Sequence, residues 1–349
     1  MYDSPMQHTK KTTCNMNIIE DSIKNALLRE VYVTPKPGLV DLNDCGAHTD
    51  MDVHTFECSA EAITPFLLGM YNAGFSFPER NNVASISGEG NCDSLGNAER
   101  ESLSELFLRV REIGKEAERA MFTATKKVNT HKGIIFSMGL LLTAIGIDAG
   151  SKSSEHGNAP APDCEPERTS APTSACEPAK ECLPYEERIC FLAGSIADAT
   201  LREELDAMRL ANAAGADNNS HGERVFATYG IDGVRGEAIA GFPCLREVAL
   251  PRYRSTKDSS LTENDRALDT LLAIMSKLSD TNLISRGGPD ALNFVKSRAT
   301  DIISSHTPGS TSWRHEIELF NAECIEKHIS PGGAADILAL TFLLTSFAE

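Results

Sequence analysis

The sequence has no surplus of basic residues. It carries 33 Lys and Arg against 50 Asp and Glu, a formal net charge of −17. That balance excludes a general nucleic-acid surface and an anionic-membrane binder. It does not exclude an anionic small molecule, because a few local cations hold a phosphate inside an acidic protein. The ten cysteines include no CxxC pair. Cys14, Cys45, Cys58, Cys190, Cys244 and Cys324 read as isolated thiols of a reducing cytoplasm. Cys164, Cys176 and Cys182 fall in a proline-rich stretch whose spacing supports no zinc site. No Val/Ile-rich alternating run is present, and no β–α alternation, so no strand pattern competes with helix. GxxxxGK[ST] and GxGxxG are both missing, which removes the common phosphate-loop folds. The first residues, MYDSPMQHTKKTTCNMN, lack an apolar signal core. No apolar run spans a bilayer without charges or glycines interrupting it. The expectation is a cytoplasmic protein with no membrane segment.

Hydrophobic residues make up 41% of the chain and charged residues 24%, an ordinary balance for a globular protein. The periodicity predicts an all-α fold: a single large domain of about eight to ten helices over residues 17–348, following a disordered leader at 1–16. Two polar segments read as disordered insertions. Residues 76–100 are rich in Asn, Ser and Gly; residues 149–186 hold six of the sixteen prolines. Helices are expected from Asn17 to Val31, from Val53 to Tyr71 with a kink at Pro65, and along the stripe Leu103 to Met121. Further helices are expected over Glu187–Asn212, Thr262–Ser279 and Trp313–Lys327. Ile134 to Ile147 are apolar nearly all round, which predicts a central buried helix. Thr130 is its expected N-cap, with His131 and Lys132 in its first turn. Gly287, Gly288 and Pro289 end one element and begin another. The last helix is expected to start with Ser330 as N-cap and Pro331 behind it.

The stretch Thr34–Asp52, TPKPGLVDLNDCGAHTDMD, lies between two helical patterns and cannot be a helix. Pro35 and Pro37 stiffen it, and Gly38 and Gly46 turn it. A stiff loop this polar suits holding charged groups around a ligand. The plainer reading is a connector, with Asp52 capping the next helix and Asp41 and Asn43 in Asx turns. Asp44 and Asp52 are assigned to the connector, and Lys36, Asp41, His48 and Asp50 to function. Elsewhere, His131 and Lys132 at a buried helix start suggest an anion site. Arg235 and Glu237, either side of Gly236, read equally as a surface ion pair or as ligand contacts. Asp336, one turn into the last helix, reads alone as a dipole partner.

Five segments, in this order, then resemble one family: TPKPGLVDLNDCGAHTDMD, VNTHKGIIFSMGLL, ATYGIDGVRGEAIAGFP, DTNLISRGG and SPGGAADILALTFLL. The family is triphosphoribosyl-dephospho-CoA synthase, whose members make the prosthetic-group precursor of citrate lyase or malonate decarboxylase. The resemblance runs from about Asn17 to Phe347. Leu42 departs from it, standing where a basic residue is common, as do Lys126 and Lys127, standing where small residues or glycine are usual. The resemblance implies an enzyme: a pentosyltransferase in which the 2′-hydroxyl of 3′-dephospho-CoA attacks C1 of the ribose of ATP and adenine leaves. The product would pass to a carrier-protein transferase. For Mg²⁺ the candidate ligands are Asp41 and Asp50, with Asp336 and Asp280 behind them. Lys36, His131, Lys132, Arg235 and Arg286 are the candidates for phosphate. His48 or Glu237 would act as general base, and Asp50 or Glu237 would stabilise the oxocarbenium-like transition state. No residue is assigned to assist adenine. The rivals are a Mg²⁺-dependent nucleotide or ADP-ribosyl N-glycosidic hydrolase, and a helical nucleotide- or CoA-binding module without turnover.

Overall fold

A computed structural model describes residues 5–78, 96–155, 183–213 and 221–348. The bulk of both expected insertions, and the cysteines at 164, 176 and 182, lie outside these. The insertion boundaries contract: Asn97–Arg100 is already helix, as are residues 149–155 and 185–186.

No strand occurs among the described residues, which form twelve α-helices and one π-helical turn. They are α1 (Pro5–Tyr32), α2 (Val53–Phe75), α3 (Asn97–Ala124), α4 (Lys132–Glu155), α5 (Tyr185–Ala213) and α6 (His221–Tyr229). After these come α7 (Gly233–Ile239), the π turn Cys244–Ala249 leading into α8 (Leu250–Ser255), α9 (Glu263–Lys277), α10 (Thr281–Ser305), α11 (Thr311–Glu326) and α12 (Gly332–Ala348). The number exceeds expectation because the glycine-punctuated block around Gly230–Gly241 folds as short helices. Helix α1 begins at Pro5, inside the segment read as a leader.

The expected central helix is α4. Ile134, Met138, Leu141, Leu142, Ile145 and Ile147 are all buried, each contributing about 2 kcal/mol by leaving water. Its Lys132–Lys152 stretch is long and apolar enough to cross a membrane, but 83% of it is buried in the fold. Helix α2 lies closest against it. Gly74 faces the Thr143 backbone and Gly146 faces the Tyr71 and Phe75 backbones, so a Cβ at either position would strike main chain. Helix α2 runs through Pro65 without a break. In α1, Ile23, Ala26, Leu27 and Val31 face the core, whereas Ile18 is exposed.

Caps fix several ends. Asp52 forms a capping box with Thr55 at the start of α2. Thr262 caps α9 by accepting from Asp265 N–H at 3.1 Å. Gly287 and Gly288 leave helical conformation within α10, which is therefore two helical segments meeting before Pro289, as the sequence reading expects.

Beyond the α3 C-cap at Thr125, Lys126 (φ 55°) and Lys127 (φ 73°) both take the left-handed conformation. These are the two positions where the family resemblance puts small residues or glycine, and the backbone gives the reason. A side chain in that region costs about 1 kcal/mol. Lys126→Gly and Lys127→Gly are each expected to raise the thermal midpoint; a lowered midpoint in both would show the side chains holding the turn.

Candidate active site

A cavity of about 590 Å³ opens where the Thr34–Asp52 loop meets the starts of α4, α7, α10 and α12. The partial positive charge of helix starts and their unpaired N–H groups favour an anion at such a junction.

The loop is clamped from outside. The Asn321 carboxamide accepts from Gly38 N–H at 2.8 Å and donates to Asp44 at 3.0 Å. Asn264 accepts from Thr34 N–H at 2.9 Å and donates to the Thr34 carbonyl at 2.6 Å. Asp44 also forms an Asx turn with Gly46 N–H at 2.7 Å. Asp41 corrects the sequence reading. Its buried carboxylate accepts from the N–H groups of Lys36 (2.7 Å), Asn43 (2.7 Å) and Asp44 (3.1 Å), and it does not line the cavity. It organises the loop, as the connector reading had it, and stands away from the cavity where the sequence reading put it as a metal ligand.

Lys36 is 1% exposed and lines the cavity. Its ammonium pairs with the Glu30 carboxylate and donates to the Glu30 carbonyl at 2.9 Å. Burial pushes the Glu30 carboxyl up despite Lys36 beside it. Lys36 is thus half of a buried pair rather than an uncommitted phosphate ligand.

His131 precedes α4 instead of sitting in its first turn. Thr130 does not cap the helix: its hydroxyl donates to Ser59 Oγ at 2.7 Å, and Asn129 Oδ1 accepts from Lys132 N–H at 3.2 Å. Ser59 Oγ lies 2.6 Å from His131 Nδ1. Burial, then the nearby Lys36 charge, lowers the His131 pKa to about 3. The ring is therefore neutral. Ser59, which accepts from Thr130, holds Nδ1 and so fixes the ring's orientation. His131 offers the cavity a neutral imidazole, not a cation.

At the rim, His48 Nε2 meets Ser330 Oγ at 2.9 Å and Nδ1 meets Arg286 at 3.3 Å. Burial and then Arg286 lower its pKa, against a smaller upward pull from Asp50, which lies 3.9 Å from Nδ1. Both ring nitrogens are engaged, so His48 is poorly placed as a base. Ser330 is taken by this contact, and α12 begins at Gly332. Asp50 is exposed at the rim. Lys132 lines the cavity and pairs with Glu118 at 3.1 Å.

Glu237 faces the cavity from α7 and accepts from Cys244 N–H at 3.2 Å. Burial pushes its carboxyl up. Arg235 points elsewhere: it lines a neighbouring cavity and lies 3.3 Å from Met208 Sδ. Asp336 lines the first cavity, its Oδ2 packed where a side chain on Gly133 would stand. Burial, then the Asp280 and Glu30 charges, push it well above the usual carboxylate range. Asp280 is an N-cap. It accepts from Asn282 N–H at 2.8 Å and reaches Ala334 N–H of α12 at 3.2 Å.

A family model described as ATP:dephospho-CoA triphosphoribosyl transferase (CitG) matches residues 16–349. The chain belongs to this family. It is 34% identical over 325 residues to a probable 2-(5″-triphosphoribosyl)-3′-dephosphocoenzyme-A synthase of Vibrio cholerae serotype O1, covering 93% of the chain and 86% of the relative. A synthase of the same name from Klebsiella pneumoniae is 31% identical over 94% of the chain and 90% of its own. A probable one from Streptococcus pyogenes serotype M49 is 36% identical over 91% and 92%. No solved structure matches.

Within this family member, sequence reasoning missed Glu30 and Ser59, took Thr130 for a helix cap, and gave Asp280 a metal role. Only Asp280 carried a usable signal, standing just before the helix that begins with Thr281 and Asn282. No group of three or more His, Cys, Asp or Glu at metal-binding spacing occurs among the described residues. The donor set therefore fits only an ion that brings most of its oxygen ligands with it, the usual habit of Mg²⁺. Asp50, Glu237 and Asp336 are among the carboxylates that line the cavity.

If Asp41 is structural, Asp41→Asn puts an amide donor where backbone N–H groups point. A loss of roughly 2 kcal/mol in urea unfolding is expected, with the same loss in Mg²⁺ and in EDTA. A loss that appears only with Mg²⁺ present would return Asp41 to the metal.

Proposed function

We propose that the chain transfers the triphosphoribosyl group of ATP to the 2′-hydroxyl of 3′-dephospho-CoA. The hydroxyl oxygen bonds to ribose C1 as the C1–N9 bond breaks. The hydroxyl proton goes to a base on the protein. Adenine leaves with the bonding pair and takes up a proton. The observation that carries the reading is one cavity, in a member of this family, joining converging helix starts to a half-buried carboxylate, Glu237.

Glu237 is the preferred base. Its raised carboxyl is a stronger proton acceptor than an ordinary glutamate, yet Cys244 N–H holds its orientation. His131, neutral and oriented by Ser59, supplies a hydrogen-bonding nitrogen suited to the adenine. The triphosphate is assigned to the α4 and α12 starts with Lys132 and Arg286; Lys36 contributes field rather than a direct contact. Asp336 would help hold a Mg²⁺ ion bound with the triphosphate, and the ion would offset the phosphate charge. The product is a prosthetic-group precursor that a carrier-protein transferase consumes. The described cysteines are free thiols, in keeping with a cytoplasmic setting.

Incubation with ATP, Mg²⁺ and dephospho-CoA is expected to release adenine only when the acceptor is present, with a triphosphoribosyl mass gain on the CoA product. Adenine without that gain would favour the hydrolase. Because the base must be ionised and its pKa is raised, kcat/KM should fall on acidification at a pH above the ordinary glutamate range. Glu237→Gln should remove that limb and lower kcat/KM by roughly 10²–10⁴-fold.

A further inference from the structure

A second cavity, about 710 Å³, adjoins the first. Asn129, Lys132, Gly133, Gly233, Val234 and Thr281 line both, so the two meet at the starts of α4 and α7. Their chemistry differs. Away from the junction the second cavity is walled by apolar side chains: Phe107 and Val110 from α3, Phe136 and Leu140 from α4, Leu205 and Met208 from α5. Its charged lining is mixed: Arg111, Lys115, Lys132 and Arg235 stand with Glu118, Glu204 and Asp232, Lys132 lies at the junction paired with Glu118 at 3.1 Å, and Arg235 is just beyond it on α7. Arg111 is fixed by a two-pronged pair with Glu204, at 2.7 and 2.8 Å.

A largely apolar chamber with two cations, Lys132 and Arg235, beside carboxylates near its junction suits a ligand with an anionic middle, which can compete for those cations, and a long, weakly polar tail. Of the two substrates in the transfer reading, ATP has no such tail. Dephospho-CoA has one: its adenosine carries the reacting hydroxyl, a diphosphate follows, and a pantetheine arm extends beyond. A hydroxyl placed against Glu237 in the first cavity puts the diphosphate near the junction and the arm through it. This also accounts for Arg235, which sequence reasoning gave to phosphate and which the fold turns away from the first cavity.

We propose that the second cavity is the binding site for the pantetheine arm of dephospho-CoA, with Lys132 and Arg235 flanking its diphosphate. The proposal rests on the transfer reading for its ligand but not for its test, which is equilibrium binding. Val110→Phe and Met208→Trp narrow the chamber from opposite walls. Met208 is only half-buried, so at least that variant should fold. Calorimetric titration uses dephospho-CoA and, as the armless probe, ADP. The expected result is dephospho-CoA affinity weakened by about tenfold or more in both variants, with ADP within about twofold of the parent. Equal effects on both ligands, or no effect on either in folded protein, would overturn the assignment. Arm-selective weakening in a protein that releases no adenine would support the cavity assignment while sinking the transfer reading.

Discussion

The carboxylate of Asp280 is the point from which the site's geometry follows. It is 3% exposed and takes backbone N–H groups from two helices, its own α10 and the start of α12. Burial raises its pKa, and the backbone donors pull it back. A buried charge is tolerable only when its lone pairs are filled, so α10 and α12 are obliged to aim their first turns at one place. The aim of α12 then sets Asp336 against the start of α4 across Gly133. What reads as a cavity is the space left where helices pointing at shared carboxylates cannot close on one another.

The carboxylates divide into those consumed in building this space and those that face it. Asp41, Asp44, Asp52 and Asp280 are filled by backbone or amide donors. Asp50 lines the cavity exposed at its rim, whereas Glu30, Glu237 and Asp336 line it and are pushed upward by burial, and Asp280 belongs to both groups. Held in low dielectric, they keep their protons more tightly than surface acids do. The cations show the same economy: Lys36 is spent on Glu30, while Lys132 and Arg286 stay at the rim.

Elements governed by local pattern were legible in the sequence. The buried periodicity of α4, the Asp52 cap, the Asx turn at Asp41 and the break at Gly287–Gly288 each depend on neighbours within a few residues. The site was legible as a set of segments but not as a set of roles. Asp41 and Asp50 look alike in sequence; one is consumed by three N–H groups within its own loop and the other stands exposed. Ser59 gave no signal, because a serine within a helix acquires meaning only when His131, 72 residues later, arrives beside it. The short helices between Tyr229 and Ser255 were hidden by glycines that read as turns.

The clamp on the first loop spans nearly the whole chain: Gly38 waits for Asn321, 283 residues on, and His48 for Ser330, 282 residues on. During synthesis the ribosome releases the loop long before either partner exists. The α2–α4 core can pack without them, since its contacts are closer in sequence and such contacts form first. The cavity is therefore closed late in synthesis, when Asn321 and Ser330 reach the loop and α12 supplies its wall. A chain stopped short of α11 would keep the residues of the α2–α4 core yet lack both clamps on the loop that borders the cavity.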